Sequence, residues 1–585
     1  MELSRILNQE MENAFEKAGF DASYGRVTDS NRPDLAEYQN NGALAAAKQY
    51  HMAPIDIAEK VAEELSASKV FSKAEAVRPG FINLDVSSAF LSDYVKEMAI
   101  SERFGLKESQ DKTIMIDYGG PNVAKPLHIG HLRTAIIGDS VKRMLRYLGN
   151  TVIGDIHLGD WGLQFGLIIE QLRDEKPDLP YFDPEHTGPY PEEAPFTLSE
   201  LERIYPLASA RSKEDEEFMA RAQERTYMLQ HEDPATKALW NHIMAVSIPD
   251  EKRIYDALDV HFDLWKGESD AAPYVPRVVD AVKEKGIARM SEGALIVDVQ
   301  EESDKREIPP CIILKSNGAA LYQTTDLGTL IMRMEDYAPD EVIYVTDKRQ
   351  ELHFTQVFRT AKKADIVKPE TELVHIGYGT MNGKDGKPFK TRSGGVMRLE
   401  DLIGEVNDAV REKMKDRYED GEIDEETVRQ VGMAAIKYGD LSNQAAKDYN
   451  FDIERFASFE GNTGPYILYT IVRIRSILRK ADADLSGEPD FSPFESAEGK
   501  LKDLLRALAG FQDMIETAAG ELAPHRICAY IYQLSDTFNS FYHETQILKE
   551  EDPKMRQAYL ELLSLTEEVL VTCTDLLGFS APERM

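Results

Sequence analysis

Residues 121–134 read PNVAKPLHIGHLRT, which sets His128 and His131 three positions apart, with Gly130 between them and Lys125 just upstream. Imidazoles at this spacing suit three kinds of chemistry. On a helix, residues i and i+3 share a face and could ligate a metal. Zinc needs three or four ligands at recognisable spacing, and none accompany this pair, so neither a metal centre nor a structural zinc is expected. A tight turn with hydrogen-bonded histidines is the second reading. The third is a strand-to-helix junction, where free N–H groups and the positive end of the helix dipole attract phosphate. There Gly130 would let a nucleotide approach the backbone, and the histidines would donate hydrogen bonds to phosphate oxygens as charge develops.

A second cationic element favours the third reading. GKDGKPFKTRSG (383–394) carries Lys384, Lys387, Lys390 and Arg392 on a glycine-rich loop suited to closing over a triphosphate. In isolation it would read as a solvated surface loop; at the far end of the same domain as HxGH it reads as a partner.

The elements that must position these groups follow from periodicity. TIMIDYG (113–119) is a compact strand signal. From Leu132 onward, Leu132, Ile136, Val141, Met144, Leu145 and Leu148 fall on one helical face, and Gly149 offers a C-terminal stop. NTVIGDIHLGDWG (150–162) is a second strand running into a glycine-containing loop. Strand, helix, strand is the βαβ unit of a parallel sheet. Residues 173–265 interrupt the pattern, first rich in Pro, Glu and Asp and then helical, and read as an insertion. Strand signals return at ALIVDVQ, at CIILKSNGAALYQ (a hairpin turning at Asn317-Gly318), at EVIYVTD and at ELVHIGYG.

The chain therefore divides into an α+β module at 1–110, an α/β domain with a Rossmann-type parallel sheet and a helical insertion at 111–405, and an all-α bundle at 406–585. A length of 585 residues with 42% hydrophobic and 29% charged content fits a multidomain globular protein. No apolar run approaches the ~18–20 residues that span a bilayer, so no membrane partner is expected. The N-terminal stretch is an acidic amphipathic helix rather than a signal peptide. Cys311, Cys528 and Cys573 lie far apart, which fits a reducing cytoplasm. The formal charge of −35 opposes nonspecific binding to a polyanion. It leaves local basic surfaces free to bind one, since screening acts over ~8 Å at physiological salt.

PNVAKPLHIGHLRTAIIGDS resembles the HIGH region of class I aminoacyl-tRNA synthetases, and within them that of the arginyl-tRNA synthetase family. HLGDWGLQFG (157–166), GKDGKPFKTRSG, GNTGPYILY (461–469), EYQNNGALAAAK (37–48) and the terminal PERM resemble further motifs of that family, in the same order along the whole chain. The resemblance implies a two-step ligase: arginine attacks the α-phosphate of Mg·ATP, giving arginyl-adenylate and pyrophosphate, and the terminal ribose of the tRNA then takes the arginyl group. Positioning and stabilisation of phosphoryl charge would carry such a reaction.

Carried onto this chain, the motifs assign His128, His131, Lys125 and Lys390 to catalysis, and Gly130, His128, His131, Lys387, Lys390 and Arg392 to ATP. The usual KMSKS loop stands here as Lys390-Thr391-Arg392-Ser393-Gly394, so Ser393 replaces its second lysine; within the resemblance Lys125 compensates. A guanidinium is planar, always charged and rich in donors, so its pocket should present carboxylates and an aromatic or apolar wall. The motifs propose Asp326 and Glu268 for the guanidinium, Tyr322 along the side chain, and Asp117, Asn122 and Gln350 for the α-amino and carboxylate end. On their own, Asp117 also reads as a strand-end turn residue and Glu268 as a surface acid.

For tRNA, the resemblance gives the C-terminal bundle the anticodon, with Arg473, Arg475 and Arg479 of RIRSILRK presented to phosphates. A solvated amphipathic helix is the alternative there. It gives the N-terminal module the tRNA elbow, with Tyr38 stacking on a loop base and Gln39 and Asn41 reading its edge. A monomer is expected. The competing classes are another HxGH nucleotidyl transferase, which would have no use for the bundle or the elbow module, and an inactive RNA-binding scaffold, which would not need His128, His131, Lys390 or Asp326.

Overall fold

A computed structural model describes residues 2–107, 111–383, 386–387, 397–415, 423–482 and 484–585. Lys384, Lys390, Arg392 and Ser393 lie outside the described residues.

The α/β region is built on four parallel strands in the order Glu372–Tyr378, Glu341–Asp347, Thr113–Asp117, Thr151–Asp155. The chain starts at Thr113–Asp117, steps outward to Thr151–Asp155, and later re-enters on the opposite side at Glu341–Asp347. Strand order therefore reverses beside Asp117, and a crevice outside the carboxyl ends of strands at such a reversal is where open α/β sheets bind ligands.

The Leu132–Tyr147 helix forms the crossover and ends before Gly149, whose φ is +93°. It departs from the single apolar face that its periodicity suggests. Arg133, Asp139, Ser140 and Lys142 are buried along with the apolar positions, because the C-terminal bundle covers the side facing away from the sheet. Each of these four side chains makes a polar contact: Arg133 Nε donates to Asp440 (2.9 Å), Ser140 Oγ to the Leu576 carbonyl (2.9 Å), and Lys142 pairs with Asp139 (2.8 Å).

The insertion contributes the helices Leu198–Arg211, Glu216–Gln230 and Pro234–Ala257. The chain returning from it runs parallel to the end of Thr151–Asp155. Ile156 N–H donates to the Leu264 carbonyl, Leu158 N–H to Lys266, and Glu268 N–H back to Leu158. That pairing sets Glu268 against the HLGDWG loop.

The strands at Ala294–Val297 and Cys311–Leu314 do not join the parallel sheet. With Ala288–Ser291 they form a separate antiparallel sheet, packed with Val278, Leu327, Leu330 and Val357 in a core shared with Met115, Val342 and Tyr344 of the parallel sheet. Asn317-Gly318 does turn the chain, but one bridge (Leu314 to Ala320) is all that follows before the Tyr322–Asp336 helix starts.

The N-terminal module has four antiparallel strands, of which Val27–Asp29 and Tyr38–Asn40 are too short to show a period of two in the sequence. Among the described residues from Leu399 to the C-terminus, the regular elements are helical apart from Tyr449–Asn450, which pairs with Met381–Asn382. No helix is long and apolar enough to cross a membrane among the described residues.

Candidate active site

The segment after Asp117 crosses the strand ends and enters a single 3-10 turn, Ile129–His131, before the long helix. His128 and His131 cap this turn reciprocally: Gly130 N–H donates to His128 Nδ1 (3.1 Å), and His128 N–H donates to His131 Nδ1 (3.1 Å). With both Nδ1 atoms accepting, each neutral ring carries its proton on Nε2. Burial lowers the His128 pKa, with Lys125 adding to the effect; burial, His128 and Lys125 together push His131 down to about 3. At neutral pH the pair is therefore two uncharged rings, 4.0 Å between centres, each with an outward Nε2–H donor. Gly130 is required by this turn itself, since a Cβ there would stand 2.8 Å from His128 Cε1.

The glycine- and lysine-rich loop is rooted on the same segment. Ile129 N–H donates to the Met397 carbonyl (3.1 Å) and Leu399 N–H to Leu127 (2.9 Å), so the chain leaving the loop pairs directly with HxGH. The chain entering it is fixed by Met381–Asn382 against Tyr449–Asn450. Lys387, the described lysine of the loop, is exposed in a turn closed by Gly383 N–H on its carbonyl (2.8 Å). Lys125 lies beside both histidines, its ammonium 4.7 Å from the centre of the Tyr205 ring.

The acidic end of the crevice is built by three segments. Tyr322, Asp326, Thr329 and Arg333 lie along one face of the Tyr322–Asp336 helix, at the helical spacings i, i+4, i+7 and i+11. Arg333, fully buried, bridges Asp117 (2.6 Å) and Asp155 (2.7 Å). Asp117, Asp155 and His157 could present ligand atoms to a cation, but the Arg333 guanidinium already supplies positive charge to both carboxylates. His157 reaches Thr329 Oγ1 through Nε2 (3.3 Å). His353, at the start of the Glu351–Lys363 helix, bonds Asp326 through Nε2 at 2.5 Å and leaves the other carboxylate oxygen to the crevice. Glu268 faces Asp326 and Asp160 across this space, and none of the described residues forms an ion pair with it. Burial, reinforced by those two carboxylates against the opposing His157, pushes its carboxyl up to about 7.

The crevice thus gathers Asp117, Glu268, Tyr322 and Asp326. Asn122 joins through its pairing with Gly159, and Gln350 stands three residues before His353 on the exposed rim. Asp155, His157, Asp160, Arg333 and His353 belong to the site and were given no role from sequence. Asp155 and His157 fall within the strand-and-loop stretch read above, and helical spacing from Tyr322 points to Arg333.

Of the three bundle arginines, Arg473 and Arg479 line a groove with Tyr469, Lys480, Tyr542 and Arg584. Arg475 does not present its guanidinium there: Nε donates to Glu567 (2.7 Å) and Nη1 to the carbonyls of Ala581 and Pro582, which ties down the C-terminal residues. In the N-terminal module, Tyr38 and Gln39 point to opposite sides of their strand. Tyr38 lines a cavity against the bundle with Asp29, Lys500, Arg506 and Tyr530, Gln39 donates to Asn83 (3.0 Å), and Asn41 is exposed.

A parallel sheet with HxGH at its switch point and a cationic loop rooted on the same segment is the catalytic core of a class I aminoacyl-tRNA synthetase. The family model for the catalytic domain of class I tRNA synthetases (R) matches residues 94–453, that for the arginyl-tRNA synthetase N-terminal domain residues 1–86, and that for the DALR anticodon-binding domain residues 467–585. The arginine–tRNA ligase of Agathobacter rectalis is 58% identical over 100% of both chains, and that of Alkaliphilus oremlandii 53% identical over 98% of both. The crystal structure of arginyl-tRNA synthetase from Plasmodium falciparum superposes with a TM-score of 0.82 at 27% identity, covering 100% of both chains. The Thermus thermophilus arginyl-tRNA synthetase shares the fold, with a TM-score of 0.79 at 23% identity over 100% of both chains. The chain belongs to the arginyl-tRNA synthetase family.

Proposed function

We propose that the chain joins arginine to tRNA through an arginyl-adenylate, and that the single crevice between the acidic end and the histidine pair is where both steps occur. The observation that carries this reading is the combination of two acidic groups, Glu268, which forms no ion pair among the described residues, and the Asp326 oxygen that His353 leaves free, with the Nε2–H donors of His128 and His131. The carboxylates clamp the guanidinium, with Tyr322 along the aliphatic stem and Asp117, Asn122 and Gln350 at the α-amino and carboxylate end. ATP arrives with its magnesium, and Lys387, Lys390, Arg392 and Lys125 hold its phosphates.

The substrate carboxylate attacks the α-phosphorus and the bond to pyrophosphate breaks. Charge grows on the phosphoryl oxygens and on the leaving group, where fixed Nε2–H donors and ammonium groups need no reorganisation to meet it. In the second step the tRNA terminal ribose hydroxyl attacks the arginyl carbonyl and AMP leaves. We assign the groove of Arg473, Arg479 and Arg584 to anticodon nucleotides, where arginines meet phosphates and Tyr469 and Tyr542 supply stacking faces. We assign Gln39 and Asn41 to the tRNA elbow; Tyr38, turned to the opposite side of the strand toward the bundle, is not placed to stack on the same base. One chain carries all of these parts, in keeping with a monomer acting in the cytoplasm.

Aminoacylation of total tRNA with each labelled amino acid tests the reading: arginine alone should charge. The family resemblance implies that arginine is activated only with tRNA bound; pyrophosphate exchange with and without tRNA tests this, and strong exchange in its absence would contradict it. Lys125→Ala should lower the rate of adenylate formation far more than it raises the arginine KM; an unchanged kcat removes Lys125 from the mechanism.

Glu268 makes arginine binding pH-dependent. Its carboxyl titrates at about 7 in the free enzyme, and only the ionised form attracts a guanidinium. Arginine affinity should therefore fall as pH drops below 7, approaching ~10-fold per unit. Near pH 7, binding should release up to about half a proton. Calorimetry in two buffers of different ionisation enthalpy reads that proton, and Glu268→Gln should abolish it; equal heats for the unmodified enzyme in both buffers count against the assignment.

A further inference from the structure

The insertion helix Leu198–Arg211 touches both cationic elements that flank the histidine pair. Tyr205 lies under the Lys125 ammonium, 4.7 Å from ring centre to Nζ. Glu202, three residues earlier and so on the same face, accepts from Arg398 at 3.0 Å, and Arg398 forms a backbone bridge with His128 at the exit of the lysine loop. The other side of the helix is mounted rigidly: Arg203 pairs with Glu175 (2.5 Å), Arg211 with Asp174 (2.6 Å) and Glu200 with Lys176 (2.9 Å), all on or next to the helix Leu163–Glu175 that follows the HLGDWG loop. This face is thus held between two parts of the active site while lying outside the sheet that forms it.

We propose that Tyr205 is a positioning residue, its ring face holding the Lys125 ammonium beside the histidine pair without neutralising it. This rests on the role given to Lys125 above. A lysine serving ATP must be restrained in the empty enzyme yet keep its full charge for the incoming phosphates. A carboxylate would restrain it more tightly, but it would cancel that charge and repel the nucleotide. An aromatic face attracts the cation through its quadrupole and carries no net charge to oppose ATP. The neighbouring cation, Arg398, is held by the carboxylate Glu202, so the two contacts on this face are of different kinds.

The test is a mutant cycle read by pyrophosphate exchange in the presence of tRNA. Tyr205→Leu should lower kcat or raise the ATP KM by about 2- to 30-fold, the range a cation–π contact spans, and leave the arginine KM unchanged. Tyr205→Phe keeps the ring face and should restore the wild-type rate; a role confined to packing would not make the arginine and ATP constants part company. In the Lys125→Ala background, Tyr205→Leu should add nothing. Wild-type kinetics for Tyr205→Leu beside an impaired Lys125→Ala, or penalties that multiply in the double variant, overturn the proposal while leaving Lys125 in place. Wild-type kinetics for Lys125→Ala itself remove the role of Lys125, and with it anything for Tyr205 to position.

Discussion

Asp326→Asn should raise the arginine KM by roughly 200- to 5,000-fold while leaving the ATP KM within about twofold, because breaking one half of a buried charge pair costs about 3–5 kcal/mol. The geometry explains why so small a change acts so strongly. Asp326 accepts from His353 Nε2 with one oxygen and turns the other to the crevice. In the variant, the amide satisfies His353 best by keeping its oxygen there, which aims the NH₂ group at a guanidinium made only of donors. Attraction is replaced by donor facing donor. The free protein should not suffer, since Asp326 and Glu268 are like charges facing each other when no arginine is bound. The melting temperature should therefore hold or rise slightly. A second signature follows from the same repulsion. Asp326 helps to raise the Glu268 carboxyl to about 7, so its neutralisation should move the pH dependence of residual arginine binding to lower pH. An arginine KM near the wild-type value would remove Asp326 from the pocket.

The contrast between the two ends of the crevice shows what a sequence discloses. The histidine pair and its strand-to-helix junction are local: the strand, the glycine and both imidazoles fall within about twenty residues, and periodicity places them. Asp117 and Arg333 lie 216 residues apart, and only the tertiary fold joins them. The same holds for the Leu132–Tyr147 helix. Its apolar stripe was legible, but burial of Arg133, Asp139 and Lys142 depends on Asp440 and the C-terminal helices packing over the opposite side. Arg475 shows the reverse limit. Its spacing on a basic helix suggests a phosphate ligand, while its guanidinium is used by Glu567 and the carbonyls of Ala581 and Pro582. A helical wheel shows the direction of a side chain and not which neighbours already hold it.

The histidine pair allows structure and chemistry to be separated atom by atom. Nδ1 of His131 accepts from the His128 N–H and so holds the turn, while Nε2–H is the donor proposed above for phosphate. An asparagine at 131 places its amide oxygen near the Nδ1 position, keeping the cap but losing the distal donor. A glutamine places its amide NH₂ near the Nε2 position, keeping a donor but losing the cap. His131→Asn should therefore lower kcat for adenylate formation by about 10²- to 10³-fold, the usual cost of one preorganised donor to developing charge, with the melting temperature nearly unchanged. His131→Gln should retain more activity and lose stability, by about 0.5–2 kcal/mol for a lost cap. The pH profile adds an independent check. With His131 pushed down to about 3, the imidazole acts as a neutral donor throughout the working range, so kcat should show no His131 titration between pH 6 and pH 8. If His131→Asn keeps wild-type kcat while His131→Gln loses it, the ring serves the turn alone and the phosphate role falls to His128.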